Sequence, residues 1–572
     1  MAAHVTDLDL ISDLHDNLLL RILAFLPAAA EVARTSALSK RWCHLWTLAV
    51  ALRFNVGSID PTSSDDAANT QNASKLIAVA DAALARRAAA GPDLEDLEMR
   101  FVYTSEDDPD GRYGCGEHQD LGITLARVAT WIHFAARHVT GQFTLAIPSW
   151  KYTALPSRQI LALGHWAVKL ANAINRCPSR SIFFAELPSS GRFQAMTLAL
   201  GDAILTIPAA GAGAFHTLTD VVLVHAQIDT GNGGRLGQLF SSSCCPRLRR
   251  LHLKFIDMLE TFDLNAASTL EELRLECLIH LRFINVDAPA LRELRIEGCS
   301  SFDSTRISAP RLEVLASEDF GPKESLSFDG VASIRRLERL DICSHQRRRE
   351  LDEVHDNDGG IETSASMWLL QQCTGVNWLA VDVMLPSSTV KKHGALEYVY
   401  KDMIIDMPLF PNVRNLTIGV FNTNSQHSTG ATLVKFITKC PRIECITIDT
   451  WPRDRECSEM NCICNEPKGW EDQEISLERL RKVEIFELLP FKSEISFVRL
   501  LLARSPALER MTVSLDSDFI KRRHEETGKD VDFEIPCYGG RWEPCAWECR
   551  KPGFSGDTKY EWTPRRKEGP WA

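Results

Sequence analysis

Residues 246–296 read PRLRRLHLKFIDMLETFDLNAASTLEELRLECLIHLRFINVDAPALRELRI. One phrase recurs in this stretch: Pro246, Leu248, Leu251, Leu253; then Leu270, Leu273, Leu275; then Pro289, Leu291, Leu294, Ile296. The closing apolar-x-apolar alternation is that of a short strand with one face buried. The apolar residue three positions earlier anchors the approach to the strand. Proline, which has no N–H to donate, fits that approach and keeps the preceding segment out of the strand. The phrase returns with its proline at Pro411, Val413, Leu416, Ile418, at Pro441, Ile443, Ile446, Ile448 and at Pro506, Leu508, Met511, Val513. Versions without it begin at Leu94, Leu218, Leu337, Val376 and Leu480, and Pro310, Leu312, Leu315 starts one that ends on Ser317.

Successive phrases near residues 248, 270, 291, 312 and 337 lie 21 to 25 residues apart, within the spacing of leucine-rich repeats. Later ones lie 28 to 39 apart, which predicts irregular repeats with longer connections. The expected fold class is α/β: a solenoid over residues 91–455 with its parallel sheet on an extended concave face. Such a face is a binding surface. The polar residues between strand anchors, His252, Arg274, Arg295, Thr417 and Thr447, are expected to point onto it. Arg274 and Arg295 hold equivalent positions in consecutive repeats and predict a short basic ladder.

Residues 9–54, DLISDLHDNLLLRILAFLPAAAEVARTSALSKRWCHLWTLAVALRF, read as three short helices. Leu14, Leu18, Ile22 and Phe25 recur at helical spacing, with Leu19, Leu23 and Leu26 widening the stripe. Pro27 ends that helix. A second is predicted around Ala29–Leu38, and Ser39 caps a third that places Trp42, Leu45 and Trp46 on one face. So small a unit cannot bury all of that surface, which predicts a docking partner.

The run Ile11 to Leu19, then Ile22 to Pro27, then Thr35 to Trp42 and Leu45-Trp46 closely resembles the F-box of plant F-box proteins. Their pattern is roughly L-P-D-x-L-L-x-x-I-L-S-F-L-P followed by T-S-x-L-S-K-R-W-x-x-L-W. The resemblance implies docking on a Skp-family adaptor, which links to a cullin–RING scaffold. By position, Leu14, Leu18, Ile22, Leu23 and Leu26 would form the docking surface. Trp42, Leu45 and Trp46 would hold the helices together and extend that surface. His15 stands where the family usually has Pro, and Ala24 where Ser is common. The His15 exchange is expected to cost helix nucleation modestly and to weaken docking without abolishing it.

Residues 456–516 resemble the FBD-type C-terminal region of plant F-box proteins through Cys464, Trp470, Leu480, Val483 to Ile485, Phe497 to Leu502 and Ser505 to Met511. They read as a strand, an amphipathic helix over Ile495–Ala503 and a closing strand, which suits the end cap of a solenoid. The expected organisation is an F-box over 9–55, a linker and Ala-rich helix over 56–90, repeats over 91–455, the FBD-like cap over 456–516 and a polar flexible tail over 517–572. Ser105–Gly116 and Arg347–Ser364, both acidic and glycine-containing, read as mobile segments, the second as a surface insertion in the longest gap between phrases.

Composition narrows the function classes. Of 572 residues 45% are apolar and 24% charged, and the net charge of −12 disfavours nucleic acid as a partner. Met1–Asp16 has neither the basic nor the apolar part of a secretory signal, and Leu18–Leu38 is broken by Arg21, Pro27, Glu31 and Arg34. A soluble chain of the nucleus and/or cytoplasm is expected, with no membrane contact and with its 17 cysteines as reduced thiols. Cys457, Cys462 and Cys464, like Cys537, Cys545 and Cys549, lack paired C-x-x-C spacing and have no histidine following at ligand distance, so no metal or other cofactor is expected. Phosphate-loop, nucleophile-elbow and H-E-x-x-H motifs are absent from the sequence, and no catalytic residue is assigned. The reading is a non-catalytic substrate-recognition subunit of a Skp–cullin–F-box ubiquitin ligase that recruits an unknown target protein. The alternative is a repeat scaffold not linked to ubiquitin.

Overall fold

In the computed structural model the apolar spacing of residues 14–26 becomes helix α1 (Asp16–Ala24), which stops before Pro27. Helix α2 (Ala29–Arg34) runs into a 3-10 turn over Thr35–Ala37. Helix α3 (Lys40–Leu45) starts where the Ser39 hydroxyl accepts the Trp42 N–H at 3.4 Å. The structure describes residues 11, 14–56, 66–90, 92–101, 123–147, 184–209, 213–229, 233–266, 268–299, 302–343, 345–349, 364–385, 398–421, 427–450, 457, 462, 464, 467–527, 547–550 and 559–564. They divide into a first unit, Met1–Pro310 with Ser327–Asp329, and a second, Arg311–Leu326 with Gly330–Ala572.

In the first unit the three helices lead directly into strand β1 (Ala51–Asn55). It pairs in parallel with β2 (Leu94–Arg100), which pairs with β3 (Val139–Ile147). Strand β4 (Phe184–Glu186) lies beside the end of β5 (Ala195–Thr206), and the ladder continues from β3 through β5 to β6 (Asp220–Ile228) and β7 (Arg250–Asp257). Strand β8 (Thr261–Asn265) belongs to a second sheet, while β9 (Glu272–Glu276) returns to the first. The alternation repeats: β10 (Phe283–Asp287) pairs with β8, β11 (Glu293–Glu297) with β9, and β12 (Ser304–Ser308) with β10, all in parallel. Helix α4 (Asp66–Ala90) takes up most of the stretch 56–90 expected as linker and Ala-rich helix, and α5 (Leu125–His138) leads into β3.

In the second unit β13 (Val314–Ser317) pairs with β15 (Arg336–Cys343), whereas β14 (Leu326–Asp329), which precedes β15 in sequence, joins the second sheet of the first unit beside β12. The parallel ladder then runs through β17 (Trp378–Met384), β19 (Asn415–Phe421), β20 (Cys445–Thr450), β21 (Lys482–Leu488) and β22 (Arg510–Leu515). A separate two-stranded sheet pairs β16 (His345–Arg349) with β18 (Tyr398–Asp402) in antiparallel fashion. Thus the start of the expected insertion Arg347–Ser364 is strand; residues 350–363 and the other expected mobile segment, Ser105–Gly116, lie outside the described residues.

The repeat phrase has a structural cause beyond alternation. At Cys245, Ala288, Phe410, Cys440 and Ser505 the carbonyl accepts the N–H of the residue three positions on, at 3.1–3.3 Å. Each residue is followed by proline, so the proline holds the second position of a β-turn, where its fixed φ is favoured. The fourth turn residue, Leu248, Leu291, Val413, Ile443 or Leu508, is buried beneath the strand that follows. The two spacings also have separate causes. Repeats of about 21 residues turn back through a second strand (β8, β10, β12), as the alternating burial of Phe262/Leu264 and Ile284/Val286 shows. Longer repeats in the second unit turn back through helices, α7 (Ala365–Gln372), α8 (Gly430–Thr438) and α9 (Lys492–Arg504), which follow α6 (Gly233–Leu239) of the first unit.

The stretch beyond residue 516, expected as a flexible tail, contains structure. Helix α10 (Ser517–Thr527) follows β22, and β24 (Lys559–Pro564) pairs antiparallel with both β22 and β23 (Trp547–Arg550). Tyr560 and Trp562 alternate inward and are buried, so the scattered aromatics of a polar stretch serve to close an open strand edge.

Candidate functional site

The N-terminal helices close a small core of their own. Leu19, Leu23, Val32, Trp42, Leu45 and Ala49 are buried together, with Leu14, Leu20, Leu26 and Trp46 packed against them in part. α1 carries two apolar stripes. Leu19 and Leu23 turn inward, while Leu18, Ile22 and Phe25, at i, i+4 and i+7, face outward with 47%, 43% and 83% exposure. This corrects the sequence-based docking set at three residues: Leu23, Trp42 and Leu45 are buried and belong to the core, not to the surface. Trp42 and Leu45 are interior and so do not extend the docking surface, while Trp46 is half-buried against them. Phe25, which shares the helical spacing of Leu18 and Ile22, is exposed like Ile11 and Leu38, and all three lie outside the expected docking set.

Polar contacts fix this geometry. Arg41 of α3 donates to the Asp16 carboxylate at 2.6 Å and to the Leu14 carbonyl at 2.5 Å, tying the last helix to the start of the first. His15 caps α1: its Nδ1 accepts the Asn17 N–H at 3.3 Å, and its φ of −66° is one that proline would also adopt. At the other end of α1, Arg53 of β1 donates to the Ala24 and Leu26 carbonyls at 2.6 and 3.1 Å and pairs with Asp96 at 2.5 Å. Burial raises the Asp96 carboxyl above its ordinary range, although Arg53 opposes the shift. Arg87 of α4, itself buried, donates to the Thr47, Ala49 and Pro92 carbonyls, the last two at 2.5 and 3.0 Å. Its pKa is lowered by burial. The helices are thus built onto the first strands rather than hung from a linker.

The F-box domain family matches residues 11–49, the stretch that contains this core and its exposed stripe. These residues form an F-box domain. The chain is also 36% identical over 86 residues to an FBD-associated F-box protein of Arabidopsis thaliana, a match covering 15% of this chain and 19% of that protein. An Arabidopsis F-box/FBD/LRR-repeat protein is 50% identical over 58 residues, covering 10% and 12%. Arabidopsis F-box/LRR-repeat protein 25 is 40% identical over 68 residues, covering 12% and 26%. The matches therefore span about a quarter or less of these relatives.

Beyond the F-box domain, the outward-facing ladder residues form rows. In the first unit His252, Arg274 and Arg295 stand side by side in register. The row is basic only in isolation. Arg274 pairs with Glu272 and, at 3.2 Å, with Glu293; Arg295 pairs with Glu293 at 2.6 Å and Glu297 at 3.4 Å. His252 Nε2 lies 3.2 Å from Glu276, which Lys254 also approaches at 3.5 Å. Burial alone would raise the Glu276 carboxyl, but His252 and Lys254 outweigh it and hold it at about 2. The expected basic ladder is therefore a charge-balanced lattice. It borders a groove of about 490 Å³ lined in part by Gln142, Thr144, Thr197, Arg250, His252 and Arg274.

In the second unit Thr417 and Thr447 are also direct neighbours in register. Next to them runs an acidic row in which Asp341 is opposite Asp382, Asp382 opposite Gly419 and Gly419 opposite Asp449. Gly419 makes the row possible: a Cβ there would stand 2.1 Å from the Asp382 carboxylate. Sequence reasoning missed this row because its members come from repeats of unequal length.

Proposed function

We propose that the chain is a target-recruiting subunit of a Skp–cullin–F-box ubiquitin ligase. The observation that carries this reading is the outward stripe Leu18, Ile22, Phe25 on an F-box domain whose own core is closed without it. Apolar and aromatic groups so displayed are typical anchors of a protein interface. A Skp-family adaptor is the partner that the F-box resemblance implies, and through it a cullin–RING scaffold.

The ladder faces are the surfaces offered to a target protein. Charge-paired rows such as Arg274–Glu293–Arg295 discriminate by register and complementarity more than by net attraction. Function then lies in tethering. Holding a target lysine near the conjugating enzyme makes an intermolecular encounter effectively intramolecular, and this chain supplies no acid, base or nucleophile. The reading is tested by precipitating the full chain from cells and blotting for adaptor and cullin. Both accompany the wild type, and Phe25→Asp loses both. Cullin missing from the wild-type complex, or retained by the variant, overturns the proposal.

A further inference from the structure

We propose that His427, Cys457, Cys462 and Cys464 form a closed, four-coordinate binding site for a structural zinc ion. The ligand atoms of these four residues all lie within 4.8 Å of one another. Zinc bound to sulfur at about 2.3 Å and to nitrogen at about 2.0 Å brings tetrahedral ligands to within roughly 3.5–4 Å of one another. Small side-chain rotations close that gap. His427, Cys462 and Cys464 are buried and Cys457 is half-buried, so the ligand atoms are largely enclosed by protein. A closed site is the structural kind rather than the catalytic kind.

The donor set selects the metal. Three thiols and one imidazole are too soft for calcium or magnesium and match the Cys₃His sites of zinc. His427 Nδ1 already sits 2.9 Å from Cys462 Sγ.

The histidine is held from behind. It stands two residues before Thr429, the cap of α8, whose N–H and hydroxyl both donate to the buried Glu494 of α9, at 3.1 and 3.0 Å. Trp470 packs so closely on Gly430 that a Cβ there would meet its ring at 2.5 Å. Residue spacing concealed the site because the histidine precedes the cysteines: His427 comes before β20, and Cys457, Cys462 and Cys464 come after it. The sequence alone predicts no metal at either cysteine group; of the other group, Cys537 and Cys545 lie outside the described residues. Binding requires no oxidant: each thiol yields its proton to solvent as a Zn–S bond forms. The ion would fasten the segment after β20 to the start of α8, independently of the F-box domain.

The test is metal analysis of the purified full chain, grown with added zinc and never exposed to chelator. About one zinc per chain is expected. Exchange for cobalt(II) should then give sulfur-to-metal charge transfer and the visible bands of tetrahedral coordination. Cys457→Ser and His427→Ala should each weaken zinc retention against a competing chelator at least tenfold, whereas Cys440→Ser, a buried thiol outside the cluster, should leave it unchanged. The cobalt spectrum of the wild type counts sulfur ligands even if a variant fails to fold. A wild-type chain that takes up neither metal overturns the inference. So does a disulfide among the three cysteines, seen as a mass loss of the unreduced chain, or zinc retained by Cys462→Ser/Cys464→Ser.

Discussion

Asp341 on β15 and Asp382 on β17 face each other across the ladder of the second unit. Burial is the main force on Asp341; Asp382, Glu318 and Asp319 add repulsion, and its carboxyl is pushed up to about 8. Asp382 is raised to about 6, again chiefly by burial, with Arg339 opposing. The unfolded chain releases the same proton near its ordinary pKa of about 3.9. Between roughly pH 4 and pH 8 the folded state therefore binds more protons than the unfolded one. Its stability is full at the acid end of that window and declines as pH rises. One proton gives at most about 1.4 kcal/mol per pH unit, so about 4 kcal/mol is the ceiling from pH 5 to pH 8. Local relaxation and water should reduce this to about 2 kcal/mol. Asp341→Asn removes the titrating group while keeping its shape. Urea-unfolding midpoints, read by tryptophan fluorescence at about pH 5.5 and about pH 8.5, compare the variant with the wild type. The wild type should lose stability toward the alkaline end, and the variant should lose less and exceed it there by about 1–3 kcal/mol. Parallel pH profiles, or a variant less stable than the wild type at the alkaline end, would refute the reasoning.

Two further outcomes follow from the F-box domain's supports. Arg87→Met leaves three carbonyls without their charged donor and should destabilise the junction by about 2–4 kcal/mol, seen as faster amide exchange over α3 and β1 with the rest of the first unit unchanged. His15→Ala should cost α1 about 0.5–1 kcal/mol, read as faster exchange at the Asn17 and Leu18 amides, whereas His15→Pro should be tolerated because φ is already −66°.

Much of this architecture is legible in the sequence because its cause is local. Pro27 and Ser39 mark helix boundaries within one turn of where they occur. The proline phrase marks strands because the turn it builds is four residues long. Arg274 and Arg295 could be paired on the page because their repeats differ by one constant step. What stayed hidden depends on partners distant in sequence. α1 is apolar on two adjacent stripes, so periodicity could not say that Leu23 faces inward and Phe25 outward. Strands β3 and β5 carry the alternations Phe143/Leu145 and Met196/Leu198 without a preceding proline. The register shift between Leu94 and Asp96 further blurs the spacing there. The second sheet was missed because Phe262/Leu264 and Ile284/Val286 occupy what a leucine-rich repeat commonly gives to a helix. His427 precedes β20 and its three cysteines follow it, so only the fold shows them as one set.

The central claim is that the outward stripe of the F-box domain docks an adaptor. Its most direct test is the affinity of the purified full chain for a Skp-family adaptor, measured by calorimetry for the wild type and for Leu18→Asp/Ile22→Asp. Both side chains are exposed, so the double variant should melt like the wild type. Burying a charge in place of each anchor should weaken binding by at least about 3 kcal/mol, more than a hundredfold. Equal binding by both proteins, or none by the wild type, would contradict the account.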